Sequence, residues 1–130
     1  MIKHETKASE LFRHWLKANP YFTSSFEMKD TRGKNSLPFS DVPQEQIDWG
    51  MAIKSPKGVL IRTQSVSNGM PDYIYLRGEP AWIVVKYPTA IEIIDVETFA
   101  MERDRSKAKS LTHERARAIS VKSIKLRQKP

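Results

Sequence analysis

The chain has 130 residues, which is enough for one domain with a single hydrophobic core and too few for two independent ones. A hydrophobic fraction of 39% is typical of a globular protein, and the lack of cysteine excludes disulfides, thiolate metal sites and cysteine nucleophiles. The net charge is +7, and residues 100–130 carry all of it, with 10 Lys/Arg against 3 Asp/Glu, whereas residues 1–99 hold 12 of each. A basic segment beside a neutral body favours a polyanion such as nucleic acid as the partner, although a solvated tail would have the same composition.

The first half of the chain predicts two helices with a strand between them. Residues 5–17 have apolar side chains at helical spacing. The buried face of that helix is predicted to consist of Ala8, Leu11, Phe12 and Trp15. An aromatic, β-rich run at residues 21–29 predicts a strand, and residues 30–38 are a polar loop. The second helix is expected to begin near Ser40 or Asp41. Its buried residues are predicted to be Ile47, Met51 and Ile53.

The second half is richer in strands. Short apolar runs predict four of them, at residues 59–61, 72–76, 81–86 and 90–94. The second and third are expected to form a hairpin, because the four residues between them include a glycine. A helical turn at 96–101, a charged linker at 102–109 and a helix from Thr112 to about Ile119 complete the chain. This order predicts one mixed α/β domain, with its core in residues 1–101 and a basic helical segment in 102–130.

Glu27 and Lys29 are the first candidates for chemistry. Side chains at i and i+2 of a strand share a face, so both are expected to lie opposite Phe26 and Met28. A carboxylate can bind Mg²⁺, and a neighbouring lysine can orient water or stabilise charge on a phosphate oxygen. The same spacing also occurs in ordinary ion pairs on a sheet surface, so the pair alone leaves both interpretations open.

Three further polar residues stand beside apolar ones. Asp72 follows Pro71 at the start of a strand, as a turn residue or as a ligand. Glu5 falls on the apolar line of the first helix, where it can complement the helix dipole or join a metal site. Gln46 precedes Ile47 on the second helix, where its amide is either exposed or part of a site.

Three runs between residues 22 and 50 form one pattern: FEMKDT, SLPF and EQI. This pattern resembles that of the Holliday-junction resolvases of Gram-positive bacteria and their phages, which belong to the PD-(D/E)XK nuclease superfamily. A looser likeness covers the Pro71-Asp72 strand and the run SLTHERA. The resemblance implies a restriction-endonuclease-like fold, with a central mixed β-sheet flanked by helices. It also implies a Mg²⁺-dependent endodeoxyribonuclease, with Mn²⁺ as a substitute, that acts on branched DNA as a homodimer.

The resemblance also assigns roles to the residues above. Glu27 and Lys29 match the (D/E)XK pair, Gln46 the glutamine of the following helix, and Glu5 a first-helix glutamate. Asp72 would be the PD aspartate, so the implied metal ligands are Glu27, Asp72 and Glu5. In the family this aspartate precedes the E-x-K strand, whereas Asp72 follows it, which implies a permuted connectivity. A competing assignment pairs Asp72 with Lys86, but Val84 then stands where the acidic residue belongs.

These assignments lead to the hypothesis of metal-assisted hydrolysis of a DNA phosphodiester. The side chains expected to contact phosphates are Arg32, Lys34, Lys107, Lys109, Arg115 and Arg117. The alternatives are a flap- or end-acting nuclease, a non-catalytic DNA-binding module, and a protein-interaction domain whose basic tail aids solubility. We expect no membrane partner, because no apolar run approaches about 18 residues. A cytoplasmic location in a bacterium or a phage-infected cell is expected, because the sequence begins without the apolar segment of a secretion signal.

Overall fold

A computed structural model describes residues 4–19, 25–67 and 70–126, except for the side chains of residues 4–7 and 62–72. The helices of this part of the chain are α1 (His4–Leu16), α2 (Gln44–Lys54), α3 (Val96–Arg105) and α4 (His113–Ile119). Its strands are β1 (Ser25–Asp30), β2 (Ser36–Pro38), β3 (Val59–Ser67), β4 (Met70–Leu76), β5 (Ala81–Lys86), β6 (Ala90–Asp95), β7 (Ser110–Thr112) and β8 (Lys122–Lys125).

The central sheet has the strand order β1-β5-β6-β8. β1 runs parallel to β5, and the other two pairs are antiparallel, so the sheet is mixed. Two small antiparallel pairs, β2 with β7 and β3 with β4, stand beside it. Five of the six residues of β5 are buried, and the same is true of β6. Strands that are apolar on both faces must be covered on both faces, which places β5 and β6 in the middle of the sheet.

Helices cover both faces of the central sheet. On one face, Ala8 and Phe12 of α1 pack with Met28 and Trp82. On the other face, α2, α3 and α4 pack against the sheet. The main contributors to this second cluster are Ile47, Val96, Phe99, Ala116, Ile83, Val85 and Ile94. An α/β fold with a mixed central sheet flanked by helices is therefore confirmed. In the described ranges, no helix is both long and apolar enough to cross a membrane.

The predicted helices are confirmed with changes at their faces and ends. In α1, Leu11 is 42% exposed and Leu16 is buried in its place, so the prediction for Leu11 was wrong. The second helix begins at Gln44 and not near residue 40, because residues 39–41 form a separate 3₁₀ turn. In that helix Ile47 and Ile53 are buried as expected, but Met51 is exposed.

The predicted hairpin between residues 72–76 and 81–86 does not form. β4 pairs with β3 instead, and β5 pairs with β1 and β6. The loop between β4 and β5 is tied to the end of α2, since Gly78 N donates to Ser55 O and Glu79 N donates to Ile53 O. The loop therefore separates the two strands. The buried strand β5 enters the central sheet, while β4 leaves Tyr73, Ile74 and Tyr75 exposed.

The C-terminal segment is more structured than the sequence predicted. α3 continues to Arg105, so the charged linker is shorter than residues 102–109. Thr112 caps α4 as predicted, because its Oγ1 accepts a hydrogen bond from Arg115 N at 3.2 Å. Beyond α4, β8 pairs with β6, and Ala116 belongs to the core. Six of the ten basic residues of 100–130 therefore lie on α3, α4 and β8, which belong to the folded domain.

Candidate functional site

Glu27 and Lys29 lie on one face of β1. Phe26 and Met28, which alternate with them, pack on the α1 side of the sheet. Alternation along a strand therefore turns Glu27 and Lys29 toward the side that α2 covers. The predicted arrangement of these four side chains is confirmed, and it results from the local two-residue period of the strand.

Gln46 of α2 meets Glu27 across this interface. Both residues line a cavity of about 20 Å³, together with Trp49, Gly50 and Val96. That volume suffices for about one water molecule. The Gln46 Oε1 atom is buried and accepts no hydrogen bond from the described residues. The cavity thus combines a carboxylate with an orphaned amide oxygen, which can bind water or a hard cation.

Lys29 is buried, with 9% of its surface exposed. None of the hydrogen bonds and ion pairs among the described residues involves its ammonium group. Its Nζ atom is not among the fully buried polar atoms, so the ammonium group reaches solvent from a mostly buried stem and can contact a ligand. Lys54 provides the contrast, because its Nζ lies 2.7 Å from Asp95 Oδ1.

A second and larger cavity begins where β1 ends. It measures about 390 Å³, and two of the predicted phosphate contacts, Arg32 and Lys34, line it beside Asp30 and Thr31. Arg32 has a φ of 57°, in the left-handed region, and its backbone N donates to Asp30 Oδ1 at 2.7 Å. A left-handed arginine held by an aspartate is the kind of strained turn that occurs at binding sites. Sequence reasoning treated Asp30 only as part of the motif and missed its role in this turn.

Two predicted metal ligands have side chains outside the described part of the structure. Asp72 lies in β4, where the backbone pairing with β3 shifts between Arg62 and Val66. Such bulges re-aim side chains and are common beside active sites. Glu5 lies in the first turn of α1, which packs on the face of the sheet opposite Glu27. Among the described side chains, no three His, Cys, Asp or Glu residues form a cluster that could hold a metal.

The competing residue Lys86 lies on the other face of the sheet. The register aligns Met28 with Val84, Lys29 with Val85, and Asp30 with Lys86. Met28 and Val84 both pack on the α1 side, so Lys86 turns to that side and Lys29 does not. Lys86 is therefore separated from Glu27 by the sheet itself.

The remaining basic candidates have different surroundings. Lys107 and Lys109 are exposed between α3 and β7. Arg115 Nε lies 2.6 Å from Glu102 Oε2, and this hydrogen bond, with the charge of Glu102, raises the pKa of Arg115. Arg117 stands next to a buried pair, Glu92 and His113, whose side chains are 2.8 Å apart. Sequence reasoning missed this pair, although a glutamate inside the apolar run AIEII was a signal for it.

Comparison with known proteins adds no relative. No family model matches the chain, and no similar curated protein or solved structure was found. Its function must therefore be inferred from its own residues.

Proposed function

We propose that this protein is a metal-dependent, structure-selective DNA endonuclease of the PD-(D/E)XK type that cleaves Holliday junctions or other branched DNA. The observation that carries the proposal is Lys29, which lies on the same face of β1 as Glu27, is only 9% exposed and forms no hydrogen bond or ion pair with the described residues. An E-x-K pair on a surface strand would form an exposed ion pair. Here most of the lysine side chain is buried and its ammonium group has no partner among the described residues, which leaves the group available to a bound phosphate or water.

Gln46 supports the same proposal from a second element. Its orphaned oxygen and the Glu27 carboxylate are both oxygen donors, which Mg²⁺ prefers, so these residues fit the proposed ion in kind. Glu27 and Asp72 are the proposed ligands, with Glu5 in an outer position. When bound, Mg²⁺ or Mn²⁺ would supply an activated water and polarise the phosphate.

The chain's own residues have separate roles in this proposal. Lys29 stabilises charge on the phosphate oxygens or holds the attacking water. Gln46 orients that water or the lysine, because an amide cannot act as a base near neutral pH. Arg32 and Lys34, on the cavity next to β1, hold the DNA backbone without reading its sequence.

The proposed fold is restriction-endonuclease-like with a permuted order of motifs. The mixed sheet and its flanking helices agree with that architecture in outline. The β3–β4 pair would place Asp72 at the site. Asp72 lies after β1 in the sequence, whereas the corresponding aspartate of the family lies before the E-x-K strand. A homodimer would present two such sites to the two strands of a junction.

The test is cleavage of labelled four-way junction, flap and duplex DNA with Mg²⁺ or Mn²⁺. The wild-type protein is expected to cut a branched substrate, and Lys29→Ala is expected to bind the same DNA without cutting it. Lys57→Ala removes an exposed lysine in the loop between α2 and β3 and should leave cleavage unchanged. Failure of the wild-type protein to cut any of these substrates with either ion would overturn the proposal.

A non-catalytic DNA-binding module is the second candidate. It is favoured by the basic residues 100–130. Such a module would bind DNA with a steep salt dependence and no need for metal. Cleavage that Lys29→Ala abolishes would exclude it.

A further inference from the structure

Glu92 of β6 is fully buried, and polar side chains from α4 and β8 converge on it. Its Oε2 atom lies 2.8 Å from His113 Nε2 and accepts a hydrogen bond from Ser123 Oγ at 2.9 Å. Arg117 Nε is 4.0 Å from the same oxygen. Arg117 Nη2 also lies 3.4 Å from His113 Nε2, so this ring nitrogen is engaged by Glu92 and Arg117. The other ring nitrogen, Nδ1, is thereby left for a different partner.

The imidazole ring of His113 is fixed in orientation. The ring of Tyr87 stacks on it almost flat, with centroids 4.3 Å apart and planes 3° apart. Nδ1 makes no hydrogen bond to the described residues, although His113 is only 9% exposed. The exposed edge of the ring lines a cavity of about 650 Å³. A buried carboxylate thus holds a histidine whose free nitrogen is available to a ligand in that cavity.

Thr89 and Arg117 also line a second cavity, of about 300 Å³. We call these two cavities together the α4–β8 groove. Its walls carry hydroxyl and amide donors and two cations, contributed mainly by Asn35, Ser36, Thr112, Arg117 and Lys125. Glu114 is the acidic residue on its rim. A tetrahedral anion with several acceptor oxygens matches donors that come from several elements.

We propose that the α4–β8 groove binds phosphate groups, with His113 and Arg117 as ligands and Glu92 as the residue that positions them. The negative charge of Glu92 offsets the positive charge of Arg117, whose Nη2 lies 3.4 Å from His113 Nε2. A phosphate oxygen at Nδ1 accepts a hydrogen bond when that nitrogen carries a proton.

The source of the phosphate is proposed to be the DNA backbone, an assignment that rests on the nuclease function proposed above. Arg, Lys, Ser, Thr and Asn are the residues that most often contact phosphate and sugar. No Phe, Tyr or Trp lines the groove in the described part of the chain, and Tyr87 stacks on the His113 ring, so the groove lacks the usual aromatic side chains on which unpaired bases stack. The groove therefore suits the backbone of a duplex arm and not a single strand.

The test records the imidazole nitrogen resonances of the protein, without metal, as inorganic phosphate or a short blunt DNA duplex is added. His113 resonances are expected to shift with both, and Arg117→Gln is expected to weaken both responses. In duplex binding, Arg117→Gln should lower the slope of log affinity against log salt by about 1. Arg77→Gln, an exposed arginine outside the groove, should leave that slope unchanged.

Each of the other possible results contradicts one specific part of the proposals. If neither ligand moves the His113 resonances of the folded protein, the phosphate site is wrong, even where branched DNA is still cleaved. If inorganic phosphate moves them and the duplex does not, the site serves a free phosphate and the DNA assignment is wrong. If both ligands move them but no DNA is cleaved, the groove stands and the nuclease proposal fails.

Discussion

Gln46 of α2 and Glu27 of β1 line one water-sized cavity, in which the Gln46 Oε1 atom is buried without a hydrogen-bond partner from the described residues. An unsatisfied buried acceptor lowers stability by about 1–3 kcal/mol. Unsatisfied buried polar groups are found mainly at functional sites, where the arrangement that the reaction needs lowers stability. Substitution of Gln46 therefore tests whether the interface of β1 and α2 is a functional site.

Replacement of Gln46 by methionine is expected to leave stability unchanged or raise it, while cleavage of branched DNA falls. The apolar side chain removes the unsatisfied oxygen, which is worth about 1 kcal/mol or more in unfolding free energy. Urea unfolding measures the stability, and the junction assay measures the activity. Gln44→Met is the matched control, because Gln44 accepts from Arg103 and donates to Asp48, and its loss should lower stability slightly. A loss of more than about 2 kcal/mol in Gln46→Met would mean that the amide is structural.

Lys29→Met should leave stability nearly unchanged and abolish cleavage. Methionine has a similar length and no charge, so the substitution keeps the packing of the mostly buried stem and removes an ammonium group that has no described partner. The change in unfolding free energy is expected to stay within about 0.5 kcal/mol, because no hydrogen bond or ion pair to a described residue is lost. The experiment compares Lys29→Met with Lys54→Met by urea unfolding.

Lys54→Met should lower stability, because it removes a described ion pair. Lys54 Nζ lies 2.7 Å from Asp95 Oδ1, and both side chains are partly exposed, so the loss is expected to stay below about 1 kcal/mol. If Lys29→Met is destabilised as much as Lys54→Met or more, Lys29 has a structural role that opposes the proposed one.

Local signals predicted the parts of this fold that depend on neighbouring residues. The shared face of Glu27 and Lys29 follows from the two-residue period of β1, and Thr112 caps α4 through a contact within one turn. The partners of β4 and β5 could not be derived in this way. Both strands flank the same glycine-containing loop, but the choice between hairpin and sheet depends on the burial of β5 by distant helices.

The functional residues differ in the same way: some could be predicted from neighbouring sequence, and others depend on contacts between distant elements. Glu27, Lys29 and Gln46 belong to one contiguous stretch of sequence, and the structure brings Glu27 and Gln46 to one cavity. The Glu92–His113 pair joins β6 to α4 across a stretch of intervening chain. A glutamate inside an apolar strand signals a buried carboxylate, but its partner becomes identifiable only when the helix is seen packed against the strand.

Gly50→Ala should destabilise the protein, although alanine favours helices. A Cβ at Gly50 would approach Val96 Cγ2 to 2.9 Å, and Val96 is fully buried. The overpacking is expected to cost about 1–3 kcal/mol, against a gain of up to about 1 kcal/mol in helix propensity. Unfolding of Gly50→Ala, Val96→Ala and the double variant completes a cycle. In the Val96→Ala background, Gly50→Ala should become neutral or stabilising, and equal effects in both backgrounds would contradict the proposed contact.

Tyr87 should make the protein less stable at alkaline pH. Its hydroxyl donates to Leu111 O at 2.9 Å, and burial, followed by the negative charge of Glu92, raises the pKa of Tyr87 above its usual value. Below about pH 10, tyrosine is protonated in both the folded and the unfolded state. Above that pH the unfolded chain loses the proton and the folded protein keeps it. The folded state then binds more protons, so unfolding free energy falls as pH rises.

Tyr87→Phe separates this titration from the hydrogen bond. At neutral pH the variant should lose about 0.5–1.5 kcal/mol, because the Leu111 carbonyl loses its donor. Between about pH 10 and pH 11, near and above the pKa of an unfolded tyrosine, its unfolding free energy should decline less steeply than that of the wild-type protein. Urea unfolding followed by tryptophan fluorescence measures both quantities. Tyr73→Phe, which changes a side chain that is 54% exposed, should keep the wild-type slope. An unchanged slope in Tyr87→Phe would show that another group governs alkaline unfolding.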